Sequence, residues 1–501
     1  MKAAFYTLGC KVNQYETETM REQFRRAGFT VVTEDEAADV YVVNTCTVTN
    51  LADRKSRQFI RKAHRLNPDA VVAVTGCYAQ MDKDAVAAIE GVDIVTGTDE
   101  KSRILDLVQG LLESKAGRGT KESGDEDSGG DAGKTANEKA GGSADDKTGG
   151  RAEVCDVKPY DQLNKYEELG VISEMEGRTR AFIKIQEGCD RFCSYCIIPF
   201  ARGKVRSRDR DEIVREVRGL VDHGYREIVL TGINTALYGT DLGYGGIAPL
   251  IEALDEMDGT AAAGAQDSSE PAARGNAADR QAAPDFRIRL SSLEPTVVDA
   301  DYAAGLLRYG RLCHHLHLSA QSGSDKVLAA MNRHYTHEDY LEIVRRLREK
   351  DPYYGISADI IVGFPGETEE DFQRSVDLVR ESELVKTHVF KYSVRRGTRA
   401  AGMDGQVDEK IKNRRSKVLI DVADEVQRAF MEKCRGTVRR VLFEQEENGM
   451  ITGYTDNYIK VYVPADAGPR APECGQFADI KLGELYRDGV KGTMSTGFSL
   501  D

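Results

Sequence analysis

The sequence predicts an α/β protein with three parts: an N-terminal parallel-sheet domain, a partial barrel of six β/α units and a small C-terminal antiparallel β-barrel. Short β-branched or aromatic runs alternate with helix-length segments over residues 1–112, and the alternation resumes on a larger scale over residues 153–400. Such alternation favours parallel strands joined by crossover helices. Residues 434–498 instead carry short β-rich runs separated by glycines and acidic turns, which is typical of a small barrel. Residues 113–152 form a predicted linker between the first two parts, and residues 401–433 a helical connector between the last two.

The composition is that of a soluble globular protein with room for about two to four domains. Hydrophobic residues make up 40% of the 501 residues, and charged residues make up 30%. The N-terminal run MKAAFYTLGC is too short in apolar residues for a signal peptide, and no stretch approaches the roughly 20 apolar residues of a membrane span. We therefore expect a cytoplasmic protein without a membrane partner. In that setting the ten cysteines are better suited to binding metal than to a disulfide framework.

The charge distribution leaves contact with nucleic acid open. The net charge of −14 argues against non-specific binding. Local basic runs nevertheless occur within residues 55–65, 202–210, 395–399 and 412–417. Because phosphate binding needs only a local basic patch, RNA contact and a solvated surface are equal alternatives for these runs.

Each predicted strand of the first domain leads into a cysteine. The strands are predicted at residues 2–8, 39–44 and 70–75, and the cysteines are Cys10, Cys46 and Cys77. In a parallel sheet the carboxyl ends of all strands lie on one edge, so cysteines that are distant in sequence can converge in space. Three thiolates suit a [4Fe–4S] cluster with one exchangeable iron. Separate burial of three unrelated cysteines is the alternative.

Two segments are predicted to be disordered. Residues 113–150 contain no Val, Ile, Leu, Phe or Tyr, and residues 259–285 have a similar character. Such segments cannot bury enough apolar surface to offset the entropy lost on ordering. We expect neither of them to carry chemistry.

A loop with three closely spaced cysteines follows the first predicted strand of the second part. The strand covers Ala181–Gln186, and Cys189, Cys193 and Cys196 follow it with C-x3-C-x2-C spacing. Soft sulfur ligands favour iron–sulfur clusters, zinc or Cu(I), and a closed zinc site would need a fourth ligand that the nearby sequence lacks. Three thiolates on a cubane cluster leave one iron open, where a substrate can bind. Packing of the cysteines as small hydrophobes is disfavoured, because Gly, Asp, Arg and Ser surround them.

The other predicted strands of the second part also end in small or polar residues. The predicted strands cover residues 181–186, 227–231, 287–292, 315–319, 355–362 and 388–393. In such barrels the working residues lie where the strands end, because glycine permits close approach and polar groups hold a ligand. The candidates at these ends are Gly232, Asn234, Ser292, Glu294, Ser319 and Gln321. Glu294 could instead cap the helix that begins after Pro295.

Three histidines within residues 314–317 invite a second metal hypothesis. On a strand, His315 and His317 share one face, whereas His314 points to the other. Because thiolates already account for the metals, we do not assign these histidines as ligands. Arg333 could hold a carboxylate or a phosphate, and a surface role is equally compatible with the sequence.

A helical pattern over Asp408–Lys433 leads into the terminal barrel. The barrel strands are predicted at residues 437–444, 451–454, 458–464 and 478–481. Small barrels of this kind bind single-stranded nucleic acid, and the candidate contacts are Arg439, Arg440, Lys460, Tyr454 and Tyr458. For the two tyrosines, a place in the barrel core is the favoured alternative.

The cysteine loop, with Tyr195 just before its last cysteine, resembles that of the radical S-adenosylmethionine (SAM) enzymes. Together with the strand-end cysteines and the terminal barrel, it makes the chain similar to the methylthiotransferases over nearly its whole length outside the two insertions. Three sequences look like the branch that acts on tRNA N6-threonylcarbamoyladenosine: TLGCKVNQYETE (7–18), NTCTVTNLADRKSRQ (44–58) and IQEGCDRFCSYCIIPFARGKVRSR (185–208). Other branches of the family tend to carry Gln-Met-Asn or Pro-Lys-Asn where this chain has Lys11-Val12-Asn13.

The resemblance implies an enzyme that uses SAM and two [4Fe–4S] clusters to place a methylthio group on C2 of that adenosine at tRNA position 37. Cys189, Cys193 and Cys196 would hold the catalytic, SAM-cleaving cluster. Cys10, Cys46 and Cys77 would hold an auxiliary cluster that carries or donates sulfur. Tyr195 and the six candidates at the strand ends would contact SAM.

The resemblance also implies partners. The terminal barrel would be a TRAM domain that grips the anticodon stem-loop of the tRNA, and an electron donor and a sulfur source would be needed. The implied RNA contacts are Arg206, Arg208, Arg439, Arg440 and Lys460.

Two other functions stay open at this point. The same chemistry could act on isopentenyladenosine in tRNA or on an aspartate of a ribosomal protein. A non-catalytic iron–sulfur protein that binds RNA is the alternative from another class. Four cysteines match no motif and are assigned no role: Cys155, Cys313, Cys434 and Cys474.

Overall fold

The computed structural model describes residues 1–119, 152–172, 175, 179–257, 285–466 and 471–495, with side chains up to residue 115 in the first range. The chain divides into two compact units, Met1–Leu163 and Asn164–Asp501. The predicted disorder of residues 113–150 and 259–285 lies outside the described residues, except at 113–119 and at Asp285. Among the described residues, no helix combines the length and the apolar character needed to span a bilayer.

The first unit contains a six-stranded parallel sheet with the order β2-β1-β3-β4-β5-β6. Its strands are β1 (Lys2–Thr7), β2 (Thr30–Val32), β3 (Val40–Thr45), β4 (Val71–Gly76), β5 (Ile94–Thr96) and β6 (Val154–Asp156). Its helices are α1 (Lys11–Arg26), α2 (Asn50–Leu66), α3 (Cys77–Met81), α4 (Lys83–Ala87) and α5 (Ile104–Gly119). The predicted parallel sheet with crossover helices is confirmed.

Both faces of the central strands are buried, as expected for a parallel sheet that carries helices on each side. Consecutive residues point to opposite faces, so Tyr41 and Val43 belong to one hydrophobic cluster, while Val40 and Val42 belong to another. Helices α2, α3 and α4 cover the first face, and helices α1 and α5 cover the second. The near-continuous apolar runs of β3 and β4 follow from this double burial.

The edge strand β6 comes from a part of the chain assigned by sequence to the next domain. Val154 pairs with Ile94 in parallel register, so residues beyond the predicted linker complete the first sheet. Helix α5 likewise runs past residue 112, where the first domain was predicted to end. Short strands such as β2, β5 and β6 carry too few residues to show a period in the sequence, which explains why they were not predicted.

The second unit contains the predicted partial barrel of parallel strands. Its strands are β7 (Arg180–Lys184), β10 (Glu227–Thr231), β11 (Arg287–Leu290), β12 (Ser292–Leu293), β13 (His315–Leu318), β14 (Gly355–Val362) and β15 (Lys386–Lys391). They pair in the orders β11-β10-β7 and β12-β13-β14-β15. Because β11 and β12 are separated by Ser291 alone, they occupy one strand position, which gives the six positions predicted. A short antiparallel hairpin of β8 (Gln186–Glu187) and β9 (Arg206–Ser207) follows β7.

Helices accompany these strands, and most of them begin at side-chain caps. They are α6 (Ile198–Arg202), α7 (Arg210–Asp222), α8 (Ala248–Asp255), α9 (Ala300–Leu306), α10 (Asp325–Ala330), α11 (His337–Lys350), α12 (Glu369–Glu381) and α13 (Glu409–Lys433). Thr336 and Thr368 each accept a hydrogen bond from the backbone N–H three residues on, in a reciprocal capping box. Asp209 and Asp408 cap α7 and α13 through their carboxylates. These caps satisfy N–H groups that a helix start leaves without intrahelical partners.

The small C-terminal barrel is closed and has five strands. They are β16 (Val438–Glu447), β17 (Met450–Thr455), β18 (Lys460–Pro464), β19 (Phe477–Tyr486) and β20 (Gly489–Met494). The strand order is β16-β17-β18-β20-β19, and closure removes the exposed edges of an open sheet. The end of helix α13 contributes Phe430, Met431 and Cys434 to the hydrophobic core of this barrel. Cys434 is therefore a core residue.

A buried ion cluster joins the small barrel to the partial barrel. The Glu227 carboxylate accepts hydrogen bonds from Arg287 Nε at 2.6 Å and from Arg289 Nε at 2.7 Å. These two guanidiniums also donate to main-chain carbonyls of the small barrel, at Tyr454 and Asp456. Burial alone would raise the pKa of Glu227, but the two arginines hold it well below its usual range. The small barrel is thus fixed to the partial barrel by fully paired charges, whose loss would be costly in a dry environment.

Candidate metal centres

The three cysteines of the first unit lie at the carboxyl ends of adjacent strands. Strands β1, β3 and β4 are neighbours in the sheet, and Thr45 pairs with Gly76 in register. Cys46 and Cys77 therefore follow paired positions, and the Leu8 N–H donates to the Asn44 carbonyl at 2.9 Å just before Cys10. The sheet thus brings together strand ends that lie far apart in the sequence, as predicted.

Asn13 ties the Cys10 turn to the neighbouring strand. Its Nδ2 donates to the Leu8 carbonyl at 2.7 Å and to the Thr45 carbonyl at 3.0 Å. The Cys10 thiol lies 3.8 Å from Asn13 Oδ1, and Cys46 Sγ accepts from the Val48 N–H at 3.5 Å. Cys46 and Cys77 are buried, while Cys10 is exposed. A ligand held here would be reached from the Cys10 side.

Gly76 is the residue that allows β4 to turn directly into Cys77. Its φ of +95° lies in the left-handed region, which side chains rarely adopt. An added Cβ would lie 2.5 Å from the Thr45 carbonyl oxygen and 2.6 Å from Asn44 Oδ1. Any larger residue would force β3 and β4 apart at the cysteines.

The second trio lies in the loop between β8 and helix α6. The Cys196 N–H donates to the Cys193 carbonyl at 2.9 Å, and the Cys189 N–H donates to the Gly203 carbonyl at 3.0 Å. Gly188, with φ of +73°, begins this loop, and a Cβ on it would overlap the Lys204 carbonyl oxygen. The loop therefore passes so close to the backbone at Lys204 that position 188 has no room for a side chain.

The segment after α10 clamps this loop from outside. Ser194 donates its N–H to the Met331 carbonyl at 2.9 Å and its hydroxyl to the Ala330 carbonyl at 2.8 Å. Asn332 Nδ2 donates to the carbonyls of Arg191 and Phe192, at 3.1 and 3.2 Å. The loop is fixed by main-chain contacts that do not involve the cysteine sulfurs, which leaves those sulfurs available as ligands.

Burial shapes the acidity of the loop thiols. It raises the pKa of Cys189 to about 11 and that of Cys196 to about 12. It also raises the pKa of Cys193, although the neighbouring Arg333 works in the opposite direction. Free thiols at these positions are therefore protonated at neutral pH, and binding of a metal has to displace their protons.

The three sulfurs of each trio are not close enough together to bind one metal ion. Two sulfur ligands of one zinc ion lie at most about 4.6 Å apart, because each Zn–S bond is about 2.3 Å long. Among the described residues, the one group of three metal-ligating side chains whose ligand atoms all lie within 4.8 Å of one another is His317, Asp359 and His388. Neither cysteine trio is drawn together as one ion would require, whereas in a [4Fe–4S] cluster each thiolate binds a different iron.

A polar cluster next to the cysteine loop contains several residues predicted to bind a ligand. Glu294 accepts from Asn234 Nδ2 at 2.8 Å and pairs with Arg333 Nη1 at 2.8 Å. Arg333 also donates to the Tyr195 hydroxyl at 3.1 Å. Arg333 is buried to 7% exposure of its side chain, so the surface alternative for this residue does not hold. Glu294 also accepts from the Thr296 hydroxyl at 3.3 Å. The next helix, however, begins at Ala300 and is capped by the Asp299 carboxylate, so Glu294 is not its cap.

Two atoms of this cluster are buried without a hydrogen-bond partner among the described residues. They are Asn234 Oδ1 and Arg333 Nε. Buried polar groups are nearly always paired, so an unpaired acceptor and an unpaired donor beside the cysteine loop indicate room for a polar ligand. A zwitterionic amino acid group offers both a cation and an anion to such a site.

Gln186 positions the strand end that carries Gly232 and Asn234. Its Oε1 accepts from the backbone N–H groups of Ile233 and Asn234, at 3.1 and 2.9 Å. Its Nε2 donates to the carbonyls of Glu187 and Gly188 at 2.8 Å. The sequence reasoning gave Gln186 no role, although its place at the end of the strand before the cysteines was a usable signal.

The other predicted contacts lie at neighbouring strand ends. Ser292 begins β12 and pairs in register with His317. Ser319 and Gln321 follow β13 and are largely buried, and Gln321 has a φ of +60°. Its N–H donates to the Asp359 carbonyl at 2.7 Å. Their contact with a cofactor stays a prediction, because the described contacts are to the protein itself.

Arg206 and Arg208 do not lie where RNA could reach them. Arg206 is 2% exposed and pairs with Glu187 at 3.1 Å. Arg208 is 1% exposed and pairs with Glu216 and, at 3.1 Å, with Glu168. Glu187 also pairs with Lys184 and Arg202. These buried pairs hold the hairpin around the cysteine loop, so the structure gives the two arginines a positioning contact in place of an RNA contact.

The candidate RNA contacts of the small barrel differ in exposure. Arg440 is 48% exposed, pairs with Asp285 and lies over the Phe477 ring at 4.0 Å. Arg439 and Lys460 are 13% and 15% exposed, and each is paired with two carboxylates. Arg440 is therefore the one of the three whose guanidinium faces solvent.

Tyr454 and Tyr458 lie outside the hydrophobic core of the small barrel. The Tyr458 ring stacks on His315 at 4.6 Å and on Tyr454 at 5.2 Å. Arg289 lies over Tyr458, and Arg180 over Tyr454, both at 5.0 Å. The two tyrosines fill the contact between the small barrel and the partial barrel, a position that neither sequence alternative described.

Three protein families match consecutive parts of the chain. Residues 2–97 match a family described as the uncharacterized protein family UPF0004, and residues 183–379 match the radical SAM superfamily. Residues 432–494 match the TRAM domain. The order of these matches follows the three parts of the fold.

Relatives with assigned names match over nearly the whole length. The chain is 40% identical to the threonylcarbamoyladenosine tRNA methylthiotransferase MtaB of Bacillus subtilis, over 91% of this chain and 89% of that protein. It is 35% identical to the protein of the same name from Thermotoga maritima, over 97% and 95%. It is 32% identical to the tRNA-2-methylthio-N(6)-dimethylallyladenosine synthase of Alkaliphilus oremlandii, over 87% and 81%.

A solved structure shares the fold. The radical SAM methyltransferase TsrM from Kitasatospora setae, with cobalamin and a [4Fe–4S] cluster bound, superposes with a TM-score of 0.53. The alignment covers 90% of this chain and 80% of that protein at 16% sequence identity. At that identity the likeness shows the fold alone.

Proposed function

The chain belongs to the radical SAM tRNA methylthiotransferase family, and we propose that it methylthiolates C2 of N6-threonylcarbamoyladenosine at position 37 of tRNA. The observation that carries the substrate is the near full-length identity of 40% to a relative named for that nucleoside, against 32% to a relative named for the dimethylallyl nucleoside. Membership of the radical SAM superfamily implies a [4Fe–4S] cluster and SAM.

We assign the two cysteine trios to two clusters. Cys189, Cys193 and Cys196 would hold the cluster that binds SAM, and Cys10, Cys46 and Cys77 would hold an auxiliary cluster that carries or donates sulfur. When bound, these groups supply a 5′-deoxyadenosyl radical that activates the inert C2–H bond, together with the sulfur and methyl group to be transferred. Among the described residues, neither trio has all three sulfurs within 4.8 Å of one another, which argues against a single metal ion at either place.

The chain's own contribution is to bind and orient SAM beside the loop. The Glu294 carboxylate is suited to the ammonium group of SAM, and Arg333, with its unpaired Nε, is suited to the carboxylate. Asn234 Oδ1 is a further acceptor within the same buried cluster. Fixed dipoles and charges in a site shielded from water position the reacting atoms without reorganisation at the moment of reaction.

We propose that the small barrel contributes to binding of the anticodon stem-loop, with Arg440 as its candidate phosphate contact. Arg439 and Lys460 are held by carboxylates, so they would have to exchange partners to reach a phosphate. Binding through a few exposed cations is compatible with a negative total charge. The electron donor, the sulfur source and a cytoplasmic location are further parts of this proposal.

The substrate can be tested by mass spectrometry of tRNA nucleosides. The gene is expressed in a host whose own methylthiotransferase genes are deleted, with the Cys193→Ala variant as the matched control. We expect 2-methylthio-N6-threonylcarbamoyladenosine with the wild-type chain only. Formation of the 2-methylthio-isopentenyl nucleoside alone, or of a methylthiolated ribosomal protein, would reassign the substrate.

A second assay tests whether the chain is catalytic at all. Reduced protein with reconstituted clusters is mixed with SAM, and 5′-deoxyadenosine is measured. A non-catalytic iron–sulfur protein that binds RNA predicts none of this product.

A further inference from the structure

A group of metal-ligating side chains that shares no residue with either cysteine trio lies on three neighbouring strands of the partial barrel. It consists of His317 on β13, Asp359 on β14 and His388 on β15, and their ligand atoms all lie within 4.8 Å of one another. Asp359 pairs directly with His388 in the parallel register, and His317 pairs with Ser357, two residues before Asp359 on the same face. The strand pairing itself therefore gathers the three side chains.

The distances within this group match the requirements of a small transition metal ion. A tetrahedral zinc ion with bonds of about 2.0–2.2 Å holds its ligand atoms about 3.4 Å apart. His317 Nε2 lies 3.2 Å from Asp359 Oδ2. This nitrogen is shielded from solvent and makes no hydrogen bond of acceptable geometry among the described residues. Asp359 is therefore the described polar neighbour of this nitrogen, at the spacing that one metal ion bound to both groups would give.

The other nitrogen of His317 is fixed in the manner usual for histidine ligands. Its Nδ1 lies 2.9 Å from Ser357 Oγ, and the same hydroxyl lies 3.0 Å from His315 Nε2. Ser357 and His315 are both buried. Partners of this kind set the tautomer and the ring orientation of a ligating histidine. Here they direct Nε2 of His317 towards Asp359 and His388.

The group is open on one side. His388 is exposed, the Asp359 side chain is 27% exposed, and the His317 side chain is 14% exposed. On β14 the opposite face carries Ile356, Ala358 and Ile360, all fully buried. The open side thus belongs to the strand face that carries Ile361, which packs against the same hydrophobic cluster as Tyr195. The predicted SAM contact Ser319, just beyond the end of β13, follows His317 by two residues, which is about 7 Å along an extended chain.

We infer that His317, Asp359 and His388 form a binding site for a divalent transition metal of the zinc type, with at least one coordination position open to the barrel. Two imidazoles and one carboxylate with an open position are the ligand set of catalytic zinc sites. Among common intracellular metals, such nitrogen and oxygen ligands bind zinc more tightly than iron or manganese. This site is separate from both iron–sulfur assignments and does not rest on the proposed nucleoside.

The test measures zinc on the full chain with its iron–sulfur clusters reconstituted, so that the cysteines are occupied. After removal of loose metal by a chelator, the protein is equilibrated with buffered Zn2+, and zinc, iron and sulfide are counted per chain. We expect one zinc per chain beyond the clusters, with nitrogen and oxygen but no sulfur in its first X-ray absorption shell.

Variants separate this site from other histidines of the chain. We expect Ser357→Ala to weaken zinc binding by about tenfold, and His388→Ala and Asp359→Asn to weaken it by more than about 100-fold. The matched control is His223→Gln, at the exposed histidine that caps the end of α7 and contacts the Gly219 carbonyl of that helix. Iron content shows whether each variant is folded. Because His388 is exposed, we expect its replacement to leave the fold intact.

Three results would overturn the inference. The first is a wild-type chain with full iron content that takes up no additional zinc at micromolar Zn2+. The second is a His388→Ala variant that binds zinc as tightly as the wild type, and the third is sulfur in the zinc shell. If zinc does not bind but His388→Ala raises the KM for tRNA, the group would be a substrate contact and not a metal site.

Discussion

The two cysteine trios are brought together by different means. One trio lies within residues 189–196 and the other is spread over residues 10–77. The first is held by a loop whose Gly188 and Ser194 contact nearby main chain. The second exists only because β1, β3 and β4 are neighbours in a parallel sheet. The loop cysteines are already neighbours along the chain and need distant contacts only to fix the loop, whereas the strand-end cysteines are brought together by the sheet itself.

Their surroundings differ as well. The loop trio lies beside the buried charges of Arg333 and Glu294, which suits the binding of a charged small molecule. The described contacts of Cys10 and Cys46 are to an asparagine oxygen and a backbone N–H. We therefore expect the loop trio to govern the use of SAM and the strand-end trio to govern the fate of sulfur.

The largest effect is expected from Cys193→Ala. Loss of one of three thiolates should remove the loop cluster, so that 5′-deoxyadenosine formation from SAM falls below detection and iron per chain drops by one cluster. The control is Cys474→Ala, at an exposed cysteine outside both trios. SAM cleavage that survives in the Cys193 variant would contradict the assignment of the loop.

Cys46→Ala should separate the two sites. We expect methylthiolated nucleoside to disappear, while SAM cleavage stays within about twofold of the wild type because the two trios share no ligand. Iron content should again fall by one cluster. If the Cys46 variant still forms product, the strand-end trio does not supply sulfur.

Gly76→Ala tests the dependence of the strand-end site on the sheet. With φ of 95° and ψ of −167°, Gly76 adopts a conformation that is nearly exclusive to glycine and costs about 1–3 kcal/mol with a side chain. The new Cβ would also meet the Thr45 carbonyl oxygen at 2.5 Å. We expect partial or complete loss of the auxiliary cluster, with SAM cleavage retained. Gly28→Ala is the matched control, since Gly28 has φ of +87° but no atom within 4 Å of the added Cβ. Equal iron content in both variants would mean that crowding at the strand ends is unimportant.

The smallest effect is expected from Arg333→Lys. A lysine keeps the charge but loses the planar fork that reaches Glu294 and Tyr195, so kcat/KM for SAM should fall about tenfold, or about 1.4 kcal/mol. Iron content should not change. Arg346→Lys, at a half-exposed arginine of α11, is the control. An unchanged KM for SAM would remove Arg333 from the binding site.

The sequence was most informative where the residues concerned are close together in the chain or lie at the ends of predicted strands. Three patterns could be recognised from the sequence: the C-x3-C-x2-C loop, the strand ends Thr-Gly-Cys and Asn-Thr-Cys, and the long strand–helix alternation. They depend on a few neighbouring residues and on a general property of parallel sheets. The fold class and the family followed from these signals. The return of Val154–Asp156 to the first sheet was not readable, because a three-residue strand has no period.

By itself, the sequence predicted the two cysteine trios as candidate metal ligands and determined the order in which the three parts of the fold occur. Only the tertiary structure decided which charged side chains are exposed to a partner and which are buried in ion pairs. Arg206 and Arg208 look like RNA contacts in a basic run, yet both are buried in ion pairs, and Arg333, which could have been on the surface, lies beside the cysteine loop. The same holds for His317, Asp359 and His388, which become neighbours only through the register of three strands. The physical reason is that pairing and burial depend on contacts between residues distant in sequence, and local composition carries no record of them.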